Sequence, residues 1–432
     1  MALTETPRTV EYTCQQCGWT GEFDARFAPW CMAQDHYLIT KDEQQKSATL
    51  KKRERRRQET ARRRGEALQE RLLQADDLRP GGAARLAAVS FGLAIHTLTL
   101  VIFIGALAAL LSGLWPLYIV ALLGFGIAWV VRPRFGKRPG AGWIKRGKAP
   151  KLFAILDRIG EANGAPTPKY VSFDGRFNAG TARRGVRNEP VLTLGVPLWQ
   201  VLAGEERLAL LGHELGHQVN GDTTQSVLVA SAHRSLREWR VLFYPSTHGR
   251  PVSRGTAGFG QLLLPVVLFP FYLLMTGLQK FYGWLQVHVA LRAEFLADDI
   301  AAETASTKAA LALVRKLDAR SSVEVYMARA RTAHPTFRNA PSLEDAMEMW
   351  IGLEDYIQTI PEHEYIRAAR ISEYRGTQID SSHPADYLRA RLLKGRPPRN
   401  GTVTVTEDEW LSVDLELASY VAEAGRAILL RR

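Results

Sequence analysis

The sequence predicts a mainly α protein with a small β-sheet, in which a helical membrane hairpin leads into a globular domain organised by a candidate metal-binding helix. Three observations carry that prediction: a long apolar block without charges, two histidines at helical spacing, and three short strand-like runs between them. At 432 residues and 46% hydrophobic content the chain can hold two or three units with a sizeable core, which excludes a disordered chain.

The block from Ala84 to Val131 reads ARLAAVSFGLAIHTLTLVIFIGALAALLSGLWPLYIVALLGFGIAWVV, with no formally charged side chain after Arg85. Two spans of roughly 20 residues each fit this length, broken at Ser112-Gly113-Leu114-Trp115-Pro116. So few polar groups argue against a buried hairpin inside a soluble domain. The net charge of +12 is concentrated on either side of the block, from Lys51 to Arg64 and from Arg132 to Lys151. Basic flanks at both outer ends predict a hairpin over residues 83–131 with both ends in the cytoplasm. The expectation is a multi-pass protein of the cell (inner or plasma) membrane, in contact with membrane lipids, whose site faces the cytosol. Residues 1–30 are polar, so no cleavable signal peptide is expected.

Three cysteines, an odd number in a reducing compartment, argue against a disulfide framework. Cys14 and Cys17 form a C-x2-C pair, Cys31 follows, and His36 stands five positions later, while Gln34 occupies the place of a fourth cysteine. This predicts a zinc-ribbon-like unit over residues 1–40. Its two readings are a structural zinc site held by Cys14, Cys17, Cys31 and His36, or a metal-free knuckle. Residues 41–82 are charged and rich in helix formers, with sparse leucines at positions 50, 68, 72 and 73. They read as a solvated basic helical arm lying along anionic headgroups. Because the arm ends at the membrane hairpin, nucleic acid is not the expected partner.

The run APKLFAILDRIGEANGAP from Ala149 predicts an amphipathic helix with a Gly and Pro stop. KYVSFDG, FNAGTARRG and PVLTLGVPLW then read as short strands joined by turns. A further helix begins near Gly204, with Glu205 and Glu206 in its first turn, where they favour the positive end of the macrodipole.

That helix carries LLGHELGHQVNGD. His213 and His217 lie four apart and so share a face, where two imidazole nitrogens can reach one zinc ion. Glu214 is rotated by about 100°, which makes it a poor third ligand but lets it reach a water held on the ion. Downstream, WLQVHVALRAEFLADDIAAE places Glu294 and Asp298 on one helical face. Glu294 would complete a site of two histidines and one carboxylate with one position open, and Asp298 could orient a ligating imidazole from behind.

HELGHQVNGD followed by LRAEFLADDIAA resembles the membrane-bound zinc metallopeptidases of the HtpX type, related to the CAAX prenyl endopeptidases. The resemblance runs from about Ala149 to Leu393 and includes the FNAG turn, the strand PVLTLGVP and SHPADYLRARL. It implies His213, His217 and Glu294 as zinc ligands and Glu214 as the catalytic glutamate. It also places His383 near the active site, where a donor could stabilise the oxyanion, the other reading being a helix-capping or core histidine before Pro384. Asn178 and Ala179, with Leu192 and Leu194 in the strand Val191 to Val196, match the part where the family holds an extended peptide by edge-strand pairing.

His217 and Glu294 must meet at one metal, so the chain between them crosses a membrane an even number of times. Thr223 to Phe243 carries Arg234, Arg237, Glu238 and Arg240 and is a poor span, while Leu262 to Leu278 is apolar but short and holds Pro265 and Pro270. The apolar insert, about 259–283 within a metallopeptidase domain spanning 149–394, is therefore expected to be re-entrant, interfacial or packed on the hairpin. Residues 395–432 read as a short strand and a closing helix. The function expected is a membrane-anchored zinc endopeptidase acting on membrane or misfolded polypeptides. The alternatives are a membrane-tethered zinc-ribbon binding protein with a non-catalytic metal site and a prenyl-protein or small-peptide processing enzyme sharing the same site.

Overall fold

In a computed structural model of the chain, the described residues are 7–39, 52–75, 78, 83–133, 139–140, 142–185, 187–219, 227–244, 258–333, 340–375 and 385–430. A two-stranded antiparallel hairpin, β1 (Thr9–Thr13) and β2 (Thr20–Asp24), opens the chain. Helix α1 (Lys52–Leu73) follows. Its sequence reads as solvated, but its C-terminal end is docked. Leu72 and Leu78 are buried against Phe295, Leu296, Ile300, Leu388 and Leu392, with Leu68 and Leu73 alongside. Gln69 Nε2 donates to the Leu388 carbonyl at 3.0 Å. The cause lies in the spacing of those leucines, which makes an apolar stripe that needs a partner.

The apolar block folds as α2 (Ala83–Leu111) and α3 (Trp115–Val131). Gly113, at φ +73°, takes a left-handed turn between them that a side chain would strain, and Pro116 sits in the first turn of α3. The two helices touch closely: a Cβ on Gly124 would lie 2.8 Å from Ala106 Cβ. Leu86–Leu111 is long and apolar enough to cross a membrane and is the one such helix among the described residues; α3 is shorter, at 17 residues. Many of their large apolar side chains are exposed, including Leu111, Leu122 and Trp129.

The globular part begins with β3 (Ile144–Lys145) and α4 (Pro150–Asn163), whose buried Leu152, Phe153, Ile155, Leu156 and Ile159 follow the helical period. Strands β4 (Tyr170–Asp174), β5 (Ala179–Arg184) and β6 (Glu189–Gly195) complete a sheet of order β3-β4-β6-β5, in which β4 and β6 are parallel and the other pairs antiparallel. After the short α5 (Val196–Val201), α6 (Gly204–Val219) runs through the core, buried continuously from Leu208 to Gln218. Its N-terminus is closed by Glu206, whose Oε2 accepts from the Ala203 N–H at 2.8 Å.

The chain then goes out along α7 (Val227–Leu242) and returns along α8 (Gly258–Thr304). Phe243 lies against Phe271 and His233 against Tyr282, so the two helices are antiparallel. Both pack on α2 through a cluster of Ala88, Ile95, Val229, Ala232, Leu236, Trp239 and Tyr282. The expected insert is therefore no separate element. It is the first half of one 47-residue helix that also carries Glu294 and Asp298 and rests on the first hairpin. The out-and-back pairing brings His217 and Glu294 to the same end without a break in the helix.

Five further helices close the domain: α9 (Thr307–Asp318), α10 (Arg320–Ala333), α11 (Leu343–Gln358), α12 (Glu362–Arg375) and α13 (Asp386–Gly395). The tail forms α14 (Glu407–Leu429), whose Glu416 carboxylate accepts from the Lys151 and Leu152 N–H groups at 2.8 and 3.0 Å and so caps α4. The strand expected before it is absent. Thr402 and Val403 N–H donate instead to the Glu303 and Thr304 carbonyls, so the backbone of this segment satisfies the C-terminus of α8 rather than a sheet.

Candidate metal centre

Helices α6 and α8 cross antiparallel at small residues. A Cβ on Gly212 would lie 2.7 Å from Thr304 Oγ1, and one on Gly216 3.1 Å from Ala297 Cα, so the absence of side chains sets how near the helices come. That approach brings His213, His217 and Glu294 together, with one ligand atom from each within 4.8 Å of the others. The two Nε2 atoms are 3.3 Å apart, and each lies 3.6 Å from a Glu294 carboxylate oxygen. Gly216→Val is expected to push α8 away, cost about 1–3 kcal/mol in stability and weaken zinc binding. Equilibrium unfolding and a zinc titration check it, and wild-type affinity in the variant would contradict this account of the crossing.

Behind the donors, His213 Nδ1 lies 2.9 Å from Asp298 Oδ1. Asp298 is in turn gripped by Arg389 of α13, through Nε at 2.9 Å and Nη2 at 2.7 Å. All three side chains are buried. Burial works against charge on His213, but hydrogen bonds to Asp298 and Glu294 outweigh it and raise its pKa to about 9 in the metal-free protein. Burial likewise opposes the Asp298 carboxylate, yet Arg389 and His213 hold its pKa down to about 2. Sequence reasoning passed over Arg389, although a signal was there. Arg389 shares a face with Leu392 and Leu393 at helical spacing, and a charge on an apolar face needs a buried partner.

Glu214 is buried next to the two histidines in sequence, and among the described residues its Oε2 has no hydrogen-bond partner. A buried carboxylate oxygen beside two imidazoles and a second carboxylate suits a site built to hold an ion and a water. The donor set of two nitrogens and one oxygen fits zinc with an open position.

The proposed peptide-holding residues divide. Ala179 begins β5, and among the described residues β5 has no strand on its outer side. Thr181 Oγ1 of β5 donates to the Glu214 carbonyl at 3.2 Å, so this edge lies against α6. Asn178 instead gives its carbonyl to the Gly195 N–H at 2.8 Å. Leu192 and Leu194 do not fit the expected part, because β6 is paired on both sides, with β4 and β5, and both side chains are fully buried in the core. His383 lies outside the described residues.

At the other end of the chain, Cys14, Cys17, Cys31 and His36 also bring one ligand atom each within 4.8 Å of the others.

A model of Peptidase family M48 matches residues 148–397. Among curated relatives, the chain is similar to Protease HtpX of Xanthomonas oryzae pv. oryzae (strain PXO99A), 25% identical over 225 residues that cover 50% of this chain and 74% of that protein. It is also similar to Protease HtpX homolog of Syntrophobacter fumaroxidans, 25% identical over 217 residues, 47% of this chain and 71% of the relative. Protease HtpX homolog of Thermococcus sibiricus is 26% identical over 175 residues, 39% and 56% of the respective chains. No solved structure matches significantly. The matched region takes in α4, strands β4 to β6, the HELGH helix, Glu294 and Arg389, and spans more than half of the residues: the chain is a metallopeptidase of the HtpX type and belongs to peptidase family M48.

Proposed function

We propose that the protein is a membrane-anchored zinc endopeptidase that hydrolyses peptide bonds of membrane or misfolded proteins, with His213, His217 and Glu294 holding the catalytic ion. The observation that carries this reading is the convergence of those three donors beside a buried Glu214 oxygen that has no hydrogen-bond partner among the described residues. A zinc ion held by these residues would supply Lewis acidity, polarising the scissile carbonyl and acidifying the attacking water. Glu214 takes the proton from the attacking water and returns it to the leaving amine nitrogen as the C–N bond breaks. Asp298, steadied by Arg389, keeps His213 in the tautomer that presents Nε2 to the ion. His383, in the SHP motif, is the candidate donor to the oxyanion.

A substrate lies along the outer edge of β5, pairing through its backbone. Such pairing needs an extended, unfolded segment but reads little of its sequence, which suits misfolded or membrane-extracted chains. Helices α2 and α3 form the anchoring hairpin, with basic flanks on the cytoplasmic side, and α7 with the first half of α8 extends it out and back. A binding protein with a structural metal would need the three ligands but not Glu214. The cofactor content implied is one catalytic zinc, with a second ion available to the N-terminal donors.

The test is cleavage of an unfolded protein such as casein by the detergent-purified chain. Treatment with a chelator should abolish cleavage, and zinc should restore it. Cleavage that persists after the metal is removed would end this reading.

A further inference from the structure

The N-terminal module lies outside the region shared with the family, yet it packs on the family domain. Its fold repeats one device twice. In the first half, Cys14 is followed by Gly18 in the left-handed region at φ +74°, and the Gly18 N–H donates to the Cys14 carbonyl at 2.9 Å. In the second, Cys31 is followed by Asp35 at φ +56°, and the Asp35 N–H donates to the Cys31 carbonyl, again at 2.9 Å. The two turns match residue for residue, although Gln34 stands where Cys17 does in the first. The missing ligand is recovered two positions later. His36, whose carbonyl accepts from the Cys31 N–H at 2.8 Å, turns Nδ1 to within 3.6 Å of Cys14 Sγ. Cys17 Sγ and Cys31 Sγ lie 3.4 Å apart. Tetrahedral zinc, with bonds of about 2.3 Å to sulfur and 2.0–2.1 Å to nitrogen, sets neighbouring donors roughly 3.5–3.8 Å apart.

The second turn is also the surface that meets α12. Arg367 Nε donates to the Leu38 carbonyl at 3.1 Å, and Arg370 Nη1 donates to the Met32 carbonyl at 2.9 Å and pairs with Asp35. The Arg370 guanidinium also covers the Trp30 ring at 5.2 Å. From the first half, Arg26 reaches the Thr359 carbonyl at 2.7 Å, and Phe23 meets the His363 ring edge-on at 4.6 Å. Apart from Cys14 and Cys31, Phe23, Trp30 and Leu38 are the buried apolar side chains among the described residues of the module, too few to hold so short a segment folded. The carbonyls that the α12 arginines grip are in place only while that turn is shaped.

We propose that Cys14, Cys17, Cys31 and His36 bind a zinc ion, and that this ion locks the N-terminal module onto α12, so that the module is a built-in brace of the peptidase rather than a tethered recruiting domain. The site is independent of the catalytic one and stands or falls separately from it.

All three cysteines of the chain lie in this module and the HELGH centre has none, so a thiol-directed mercurial can release zinc from this site alone. The experiment uses the full-length protein in detergent with a chromogenic zinc chelator present. About two zinc ions per chain are expected at the start, one of them set free as the thiols react with p-hydroxymercuribenzoate. Hydrogen exchange over Glu362–Arg375 should then quicken by about tenfold or more. Thiols that react without releasing zinc would overturn the site. Release with unchanged exchange in that helix would overturn the brace. His217→Ala, which disables the other centre, should still yield its one mercurial-labile zinc, and His36→Ala should lose it.

Discussion

Glu214→Gln is expected to keep zinc but lose peptide hydrolysis, by at least the roughly 10²–10⁴-fold that positioned acid–base groups typically contribute. The substitution preserves shape and hydrogen-bonding capacity, so the buried site beside the two histidines need not rearrange. What it removes is the ability to accept a proton. Metal content and casein cleavage measured on the same preparation check both halves. A variant that cleaves at the wild-type rate would show that the base lies elsewhere, and one that loses zinc would assign Glu214 to the ligand set.

The second large effect is expected at a residue that touches no substrate. Arg389→Ala should cost about 3–5 kcal/mol in folding, since it leaves the Asp298 carboxylate buried without its partner. It should also weaken zinc binding by about 10–100-fold, because the imidazole of His213 is oriented through Asp298. The two effects can be separated. Replacing both members with apolar side chains, Asp298→Leu with Arg389→Met, removes the stranded charge and should recover much of the stability, while zinc affinity stays low. Thermal melts and zinc titrations of the single and double variants decide it. Equal zinc affinity in wild type and double variant would reduce the pair to a structural role. The Asp298 pKa is depressed to about 2, so the pair's contribution is present above the unfolded value near 3.9 and is lost progressively as pH falls from there through about 2. Neutral and mildly acidic conditions therefore leave it intact.

Local spacing made the chemistry legible. His213, His217 and Glu214 are read from one helical turn, and Glu294 with Asp298 from another, because each cluster is a property of a single helix. The break between α2 and α3 was equally plain, since Gly113 and Pro116 act on their own neighbourhood. Interactions between distant elements were not legible. Leu192 and Leu194 belong to a strand-like run, but which strand ends up at the edge depends on the order in which three runs pair, and β6 took the centre. The arm from Lys52 looks solvated by composition, and only the surface of α13 and α8 shows what its leucines cover. Arg389 is visible as an arginine on an apolar face, but its partner Asp298 sits 91 positions earlier.

Those separations bear on when the enzyme can exist as an enzyme. A ribosome delivers His213 and His217 first, then the whole of the α7 and α8 excursion, then Glu294, and only much later the arginine that steadies Asp298. Until that last stretch emerges the centre lacks parts, and the folding of the excursion is a condition for closing it rather than an ornament upon it.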